Sequence, residues 1–357
     1  RDAEVDLAPH VKTTMSPQVF AAQEAAGAWA ATVANVAQAR WLRTWGCRRI
    51  VIANQVVDPI ALDWVVEQAD GGACEVCFWV DSLAGVEASE AARARAGAGP
   101  ALRVLVEVGH RGGRTGCRTL EEAVAIAAAV TRSDALELHG VACFEGLVAP
   151  GDADDVVSAL LRRTVEVADQ VRDLSPVERF VLTAGGSAYF DRVVAAFASQ
   201  SRETTRVVLR SGCYVMHDVG FYDEVAPALG HGRAPLRSAL EVWGAVHSTP
   251  EPGLALVGIG KRDVGYDMGY PRALTRRRGD DMRAVRGRVE VTALNDQHAH
   301  VADPDGLLAV GDLVGFGVSH PCTTLDKWST LALVDDDYTL IDWIDTAFTR
   351  HRPGQPG

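Results

Sequence analysis

The segment "SHPCTTLDKW", Ser319 to Trp328, sets His320 and Cys322 two residues apart, with Pro321 fixing the backbone between them. Imidazole and thiolate both bind divalent zinc well, so the pair can offer one nitrogen and one sulfur donor to an ion. A buried thiol beside a surface histidine accounts for the same spacing. Near the other end of the chain, Lys12 follows Pro9 and His10 in "PHVKTTMSP". An amine at the mouth of a barrel strand can form a Schiff base with an aldehyde cofactor if desolvation and neighbouring cations lower its pKa. A solvated surface lysine has the same spacing, which by itself does not choose. Gly185, Gly186 and Ser187 form a turn that opens a helical stretch, where backbone N–H groups and a helix dipole can receive a phosphate; a tight turn that needs positive φ is the plainer account. "CEVC", Cys74 to Cys77, has the spacing of a metal half-site, but it lies in the apolar run "ACEVCFWV" with no second such pair, so it is read as strand core.

The elements that must position these residues alternate. Short Val/Ile/Ala-rich runs at 5–12, 28–34, 48–55, 74–82, 102–109, 136–146, 179–186 and 205–212 are separated by Ala-rich amphipathic stretches, the pattern of parallel βα units. Ser16-Pro17, Asp58-Pro59 and Ser187 read as helix starts, and "TLEE" at 119–122 reads as a capping box. Eight strands, apolar on both faces, point to an α/β fold with a closed (β/α)8 TIM-type barrel over residues 1–230. From about Leu236 the texture becomes alternating and turn-broken, which predicts an all-β domain over 236–357. Barrel enzymes carry their chemistry at the C-terminal ends of the strands, where Lys12, the "GHRGGRTG" loop (109–116), Glu145-Gly146, Gly185-Gly186-Ser187 and Arg210-Ser211-Gly212-Cys213-Tyr214 all fall.

Bulk properties exclude several classes. Apolar residues make up 48% and charged residues 23%, as in a globular protein, and the net charge of -12 would be repelled by nucleic acid or an anionic membrane. No uncharged apolar run reaches the roughly 18 residues of a membrane span. Seven scattered cysteines form no disulfide framework and suit a reducing, cytoplasmic compartment. The chain opens on Arg rather than Met, so a preceding stretch is expected.

"PHVKTTMSP", "VLVEVGHRGGRTG", "LTAGGSAYFD", "VLRSGCYVMHD", "LNDQHAH" and "SHPCTTLDKW" together resemble, in order and interval, the D-threonine aldolase and D-serine dehydratase family of pyridoxal-phosphate (PLP) enzymes with the alanine-racemase fold. The similarity covers nearly the whole chain. It implies that Lys12, after His10, carries the cofactor and later moves the α-proton, and that Arg114 lies near the cofactor's phenolic oxygen. Gly185, Gly186, Ser187, Ser211, Gly212 and Tyr214 would hold the phosphate. A tyrosine common in the family is replaced by Phe144, which leaves the ring-nitrogen partner unassigned. His320 and Cys322 would hold a metal, and the thiolate selects zinc over a harder ion. His298 matches a histidine near that metal and would be a supporting residue or proton carrier; a hydrogen-bonded strand histidine fits equally.

The function implied is a PLP- and zinc-dependent lyase for β-hydroxy D-amino acids, D-serine dehydratase first and D-threonine aldolase second. A racemase would need an opposite acid/base such as Tyr266 or Tyr270 and has no use for the His-Cys pair. A non-catalytic PLP carrier would need only a barrel. Relatives of this fold imply a homodimer, and family members carry a strand and helix ahead of the lysine strand.

Overall fold

The computed structural model describes residues 5–348 apart from 147, 149, 201–202 and 226–235. The chain forms two compact units, one running to Gly212 and the other spanning Cys213–Phe348. The boundary expected from sequence texture, after residue 230, lies outside the described residues, as do 349–357.

The first unit holds eight parallel strands: β1 Asp6–Leu7, β2 Ala31–Val33, β3 Arg49–Gln55, β4 Glu75–Val80, β5 Leu102–Val108, β6 Leu136–Cys143, β7 Phe180–Ala184 and β8 Thr205–Leu209. They pair in the order β1-β8-β7-β6-β5-β4-β3-β2. The two end strands then meet. Trp29 N–H donates to the Leu7 carbonyl (2.8 Å), Thr32 N–H to that of Pro9 (2.9 Å) and the Thr32 hydroxyl to that of Ala8 (2.7 Å). The sheet therefore closes into the expected barrel. Its interior is packed by Ala8, Val51, Cys77, Trp79, Leu105, Ala142, Val181 and Val208, every one at least nine-tenths buried. Cys77 belongs to that layer, and Cys74 is buried just ahead of β4, so "CEVC" is strand core.

The first strand is shorter than the run 5–12. Pro9 has no N–H for a ladder, and the chain turns into a single 3-10 turn at Val11–Thr13, which carries Lys12. Helices α1 Pro17–Ala25, α2 Val36–Thr44, α3 Pro59–Gly71, α4 Leu83–Ala96, α5 Leu120–Thr131, α6 Ala153–Val171 and α7 Phe190–Ala196 follow the strands. Ser16 and Asp58 accept from Val19 N–H (3.4 Å) and Ala61 N–H (2.9 Å), and Thr119 with Glu122 forms the capping box of α5. Ser187 is not a cap. Helix α7 begins only at Phe190, beyond a turn that Glu145 holds, so no helix dipole starts at Ser187.

The second unit contains α8 Phe221–Val225, β9 Glu241–Glu251, β10 Leu254–Val257, β11 Arg272–Arg278, β12 Asp281–Ala284, β13 Glu290–Leu294, β14 Ala299–Ala302, β15 Leu313–Gly317, α9 Pro321–Leu325, β16 Thr330–Val334 and β17 Leu340–Asp345. Strands β9–β15 form an antiparallel sheet in the order β12-β11-β15-β9-β10-β14-β13, and β16 pairs with β17 in a separate hairpin. Val246, Val257, Val301, Val314 and Phe316 fill its core. Pro321 does more than stiffen the chain: it takes the first position of α9, where its missing N–H costs nothing, and puts His320 at the N-cap.

Replacing Thr119 with Ala removes one half of the capping box and is expected to cost about 1 kcal/mol, read as a lower urea midpoint with unchanged slope. No change in midpoint would mean that α5 is held by packing alone.

Candidate active-site residues

At the C-terminal end of the barrel, His10, Lys12, Asn54, Glu107, Arg114, Phe144, Gly185 and Arg210 line one cleft. His10 shows its electrostatics best. Its pKa is held well below the usual 6.5, first by desolvation and then by the positive charges of Lys12, Arg210 and Arg114. Its Nδ1 is buried without a hydrogen-bond partner. Three cations around a neutral ring with one unpartnered nitrogen make a cleft suited to an anion with polar ring substituents.

Arg114 is presented by the 109–116 loop. Gly109 N–H donates to the Cys117 carbonyl (2.9 Å) and Gly116 N–H to Asp81 Oδ2 (2.8 Å). A Cβ on Gly109 would lie 2.2 Å from the Thr115 carbonyl oxygen, so the loop closes only with glycine there. Arg118 then donates to the Thr115 and Arg114 carbonyls (2.7 and 2.9 Å), and the Arg114 guanidinium stacks 4.5 Å from the Phe144 ring centre. Deeper in the barrel, Arg210 is buried with Nη1 donating to Thr183 Oγ1 (2.6 Å) and Nη2 to the Cys143 carbonyl (2.7 Å).

Gly185, Gly186, Ser187, Ser211 and Gly212 come together after β7 and β8, and Ser211 Oγ donates to the Gly186 carbonyl at 2.9 Å. The N–H groups of Gly185 and Gly186, expected to face a phosphate, instead donate to Glu145 at 3.2 and 2.6 Å. Tyr214 falls in the second unit, on the 3-10 turn Cys213–Val215.

Within the second unit, His320 Nδ1 lies 2.7 Å from Asp267 Oδ2, and Asp267 also accepts from Thr323 Oγ1 at 2.7 Å. The Cys322 side chain hydrogen-bonds the same imidazole. Burial opposes charge on His320, but Cys322 and Asp267 outweigh it and raise its pKa to about 9. Cys213 Sγ stands 3.3 Å from Cys322 Sγ. No group of three or more His, Cys, Asp or Glu side chains suited to a metal occurs among the described residues, so His320 and Cys322 form a two-donor site, which water or substrate would have to complete. The donor chemistry fits zinc: Asp267 engages one ring nitrogen and orients the other.

His298 is exposed in the turn before β14, its ring edge-on to His247 at 6.0 Å; among the described residues no hydrogen bond or ring contact joins it to His320 or Cys322. Tyr266 and Tyr270 are exposed on the loop that carries Asp267. The roles of Arg210, Glu145, Asp267 and Cys213 escaped sequence reasoning. Arg210 and Glu145 stood at strand ends, but nothing in the local pattern showed which way their side chains turn.

Comparison with known proteins agrees with this layout. Residues 2–205 match the family model "Alanine racemase, N-terminal domain", and 239–334 match "Putative serine dehydratase domain". The chain is 27% identical over 356 residues to D-threo-3-hydroxyaspartate dehydratase of Delftia sp. (strain HT23), covering 95% of this chain and 89% of that one. It is 25% identical over 329 residues to 3-hydroxy-D-aspartate aldolase of Paracoccus denitrificans (strain Pd 1222), covering 89% and 79%. The crystal structure of D-threonine aldolase from Filomicrobium marinum has the same fold, with a TM-score of 0.78 at 23% identity over 97% of this chain and 88% of that one. Among the described residues no helix is long and apolar enough to cross a membrane.

His10 also gives a pH signature. Below pH 6.5 the unfolded chain takes up a proton that the folded imidazole refuses, so stability falls as pH falls. Between pH 7 and 5.5 this one group should cost about 1 kcal/mol, and His10→Asn should lose that much less on acidification, measured by denaturant titration at both pH values. Equal losses would show that His10 protonates freely in the folded state.

Proposed function

The chain belongs to the alanine-racemase-fold family of PLP-dependent lyases that includes the D-threonine aldolases and D-serine dehydratases and acts on β-hydroxy D-amino acids, and we propose that it is a dehydratase converting D-serine to pyruvate and ammonia. The observation that carries the cofactor assignment is the set of Lys12, Arg114 and Arg210 about the unpartnered His10 Nδ1. A ring bearing an aldehyde, a phenolate and a phosphate would answer all of them. PLP, when bound, supplies the electron sink that makes bonds to Cα breakable.

The chain's own residues do the rest. Lys12 Nζ would hold the cofactor aldehyde, and the same amine would be the base for the α-proton. Arg114 faces the phenolic oxygen, and His10 supports the ring. The resemblance gives the phosphate to Ser187, Ser211, Gly212 and Tyr214, which would hold it beside the Gly185–Gly186 turn. The resemblance would make His298 a supporting residue or proton carrier. His320 and Cys322 hold zinc, which supplies a Lewis acid for the β-hydroxyl; the sulfur donor favours zinc over manganese or magnesium.

Dehydration is preferred because a His-x-Cys pair accompanies the zinc-dependent dehydratases of this family. The Paracoccus relative, by name an aldolase, supports the second reading, cleavage to glycine and an aldehyde. We also propose a cytoplasmic homodimer. Seven cysteines free of disulfides suit a reducing compartment, and the exposed Ile341 and Trp343, on one face of β17, offer apolar surface to a second copy.

Purified protein incubated with D-serine, D-threonine and 3-hydroxy-D-aspartate should give a 2-oxo acid and ammonia; aldehyde and glycine alone would overturn the dehydratase assignment. EDTA should stop the lyase reaction, whereas a racemase would keep its activity. Asp267→Asn should weaken zinc binding roughly 10- to 100-fold by metal titration, through loss of the histidine's orienting partner. Unchanged zinc affinity would separate Asp267 from the metal.

A further inference from the structure

The glycine turn at the barrel mouth already holds a carboxyl group of the protein's own. Glu145, just past β6, is wholly buried, with Oε1 accepting from Gly186 N–H (2.6 Å) and Oε2 from Gly185 N–H (3.2 Å). The turn is seated by contact between glycines: a Cβ on Gly186 would lie 2.9 Å from Gly146 Cα. On the turn's other side Ser211 Oγ donates to the Gly186 carbonyl (2.9 Å), and nearby Tyr189 Oη donates to the Val148 carbonyl (2.9 Å). The amides and the carbonyl of the turn are thus each committed.

We infer that Glu145 is a positioning residue for the cofactor phosphate: it locks the Gly185–Gly186 turn so that Ser187 and the Gly212 backbone, rather than the two glycine amides, receive the phosphate. This rests on the PLP reading above. A phosphate directed at the two amides would have to evict a carboxylate whose two oxygens both accept hydrogen bonds inside the protein, or sit against it with like charge in a poorly screened site. Neither is needed if the amides belong to Glu145. Burial raises the Glu145 pKa, and the Gly186 amide, with Arg210 buried in the same barrel end, offsets part of that shift.

The test is titration of the cofactor-free full chain with PLP, followed by absorbance and by the 31P resonance of the bound phosphate. Wild type, Glu145→Gln and Gly186→Ala are compared, with thermal melts alongside. Glu145→Gln keeps the shape but turns an NH2 toward one of the two amides. It should weaken PLP binding at least about tenfold and shift the 31P resonance, with a melting temperature within a few degrees of wild type. Gly186→Ala, which forces the turn off Gly146 and leaves the carboxylate intact, should do the same. PLP binding that is unchanged or tighter in Glu145→Gln overturns the inference, the tighter case marking the carboxylate as a competitor of the phosphate. A lowered melting temperature with wild-type affinity and 31P resonance overturns it too, as a purely structural role. Absence of PLP binding by wild type overturns the functional reading of the barrel and this inference with it.

Discussion

Arg210 is closed inside the barrel, its guanidinium donating to Thr183 Oγ1 and the Cys143 carbonyl and lying 5.2 Å from the centre of the Trp79 ring. A guanidinium does not shed its proton, so the barrel must balance that charge. Two buried carboxylates do so, Glu107 on β5 and Glu145 beyond β6, and both act electrostatically on Arg210. Glu107 is steadied by Gln55 Nε2 at 2.6 Å, Glu145 by the two glycine amides. His10, meeting the same positive field, stays neutral. Burial is the largest influence on His10 and Glu145, and the charge of Arg210 acts on both beside it.

The second unit solves a different problem, how to aim two donors with little structure. Pro321 starts α9 and puts His320 at its N-cap, and Asp267 reaches over from the loop before β11 to fix the imidazole. Thr323 braces Asp267 in turn. One helical turn and one loop carboxylate thus fix the imidazole, and under the proposed reading they would leave the remaining sides of a metal open.

The barrel was legible in the sequence because buried parallel strands and their capped helices carry separate periodicities, and Ser16, Asp58 and Thr119 cap the helices as their spacing suggests. The limits of the elements were less legible, for local reasons. Pro9 ends β1 early, and the turn held by Glu145 delays α7 beyond Ser187. The reactive residue types, Lys12 and the His320–Cys322 pair, stand out in sequence because they are chemically distinctive. Their supports do not. Glu145 is an ordinary acidic residue between Phe144 and Gly146 until the fold brings it to an amide 40 residues away. Asp267 meets His320 across 53 residues. Periodicity carries no record of such meetings.

The lysine-bearing turn hangs from β1, which is two residues long and is flanked on one side by β8. The Arg206–Asp6 ion pair on that seam spans 200 residues of chain. On the ribosome, β1 must therefore wait for β8, the last of the eight, before it gains that neighbour, and loop-closure entropy makes such a pairing slow. The strand that leads to the amine is thus made long before the neighbour that locks its register, so no truncated product that stops short of β8 can present the amine in working geometry.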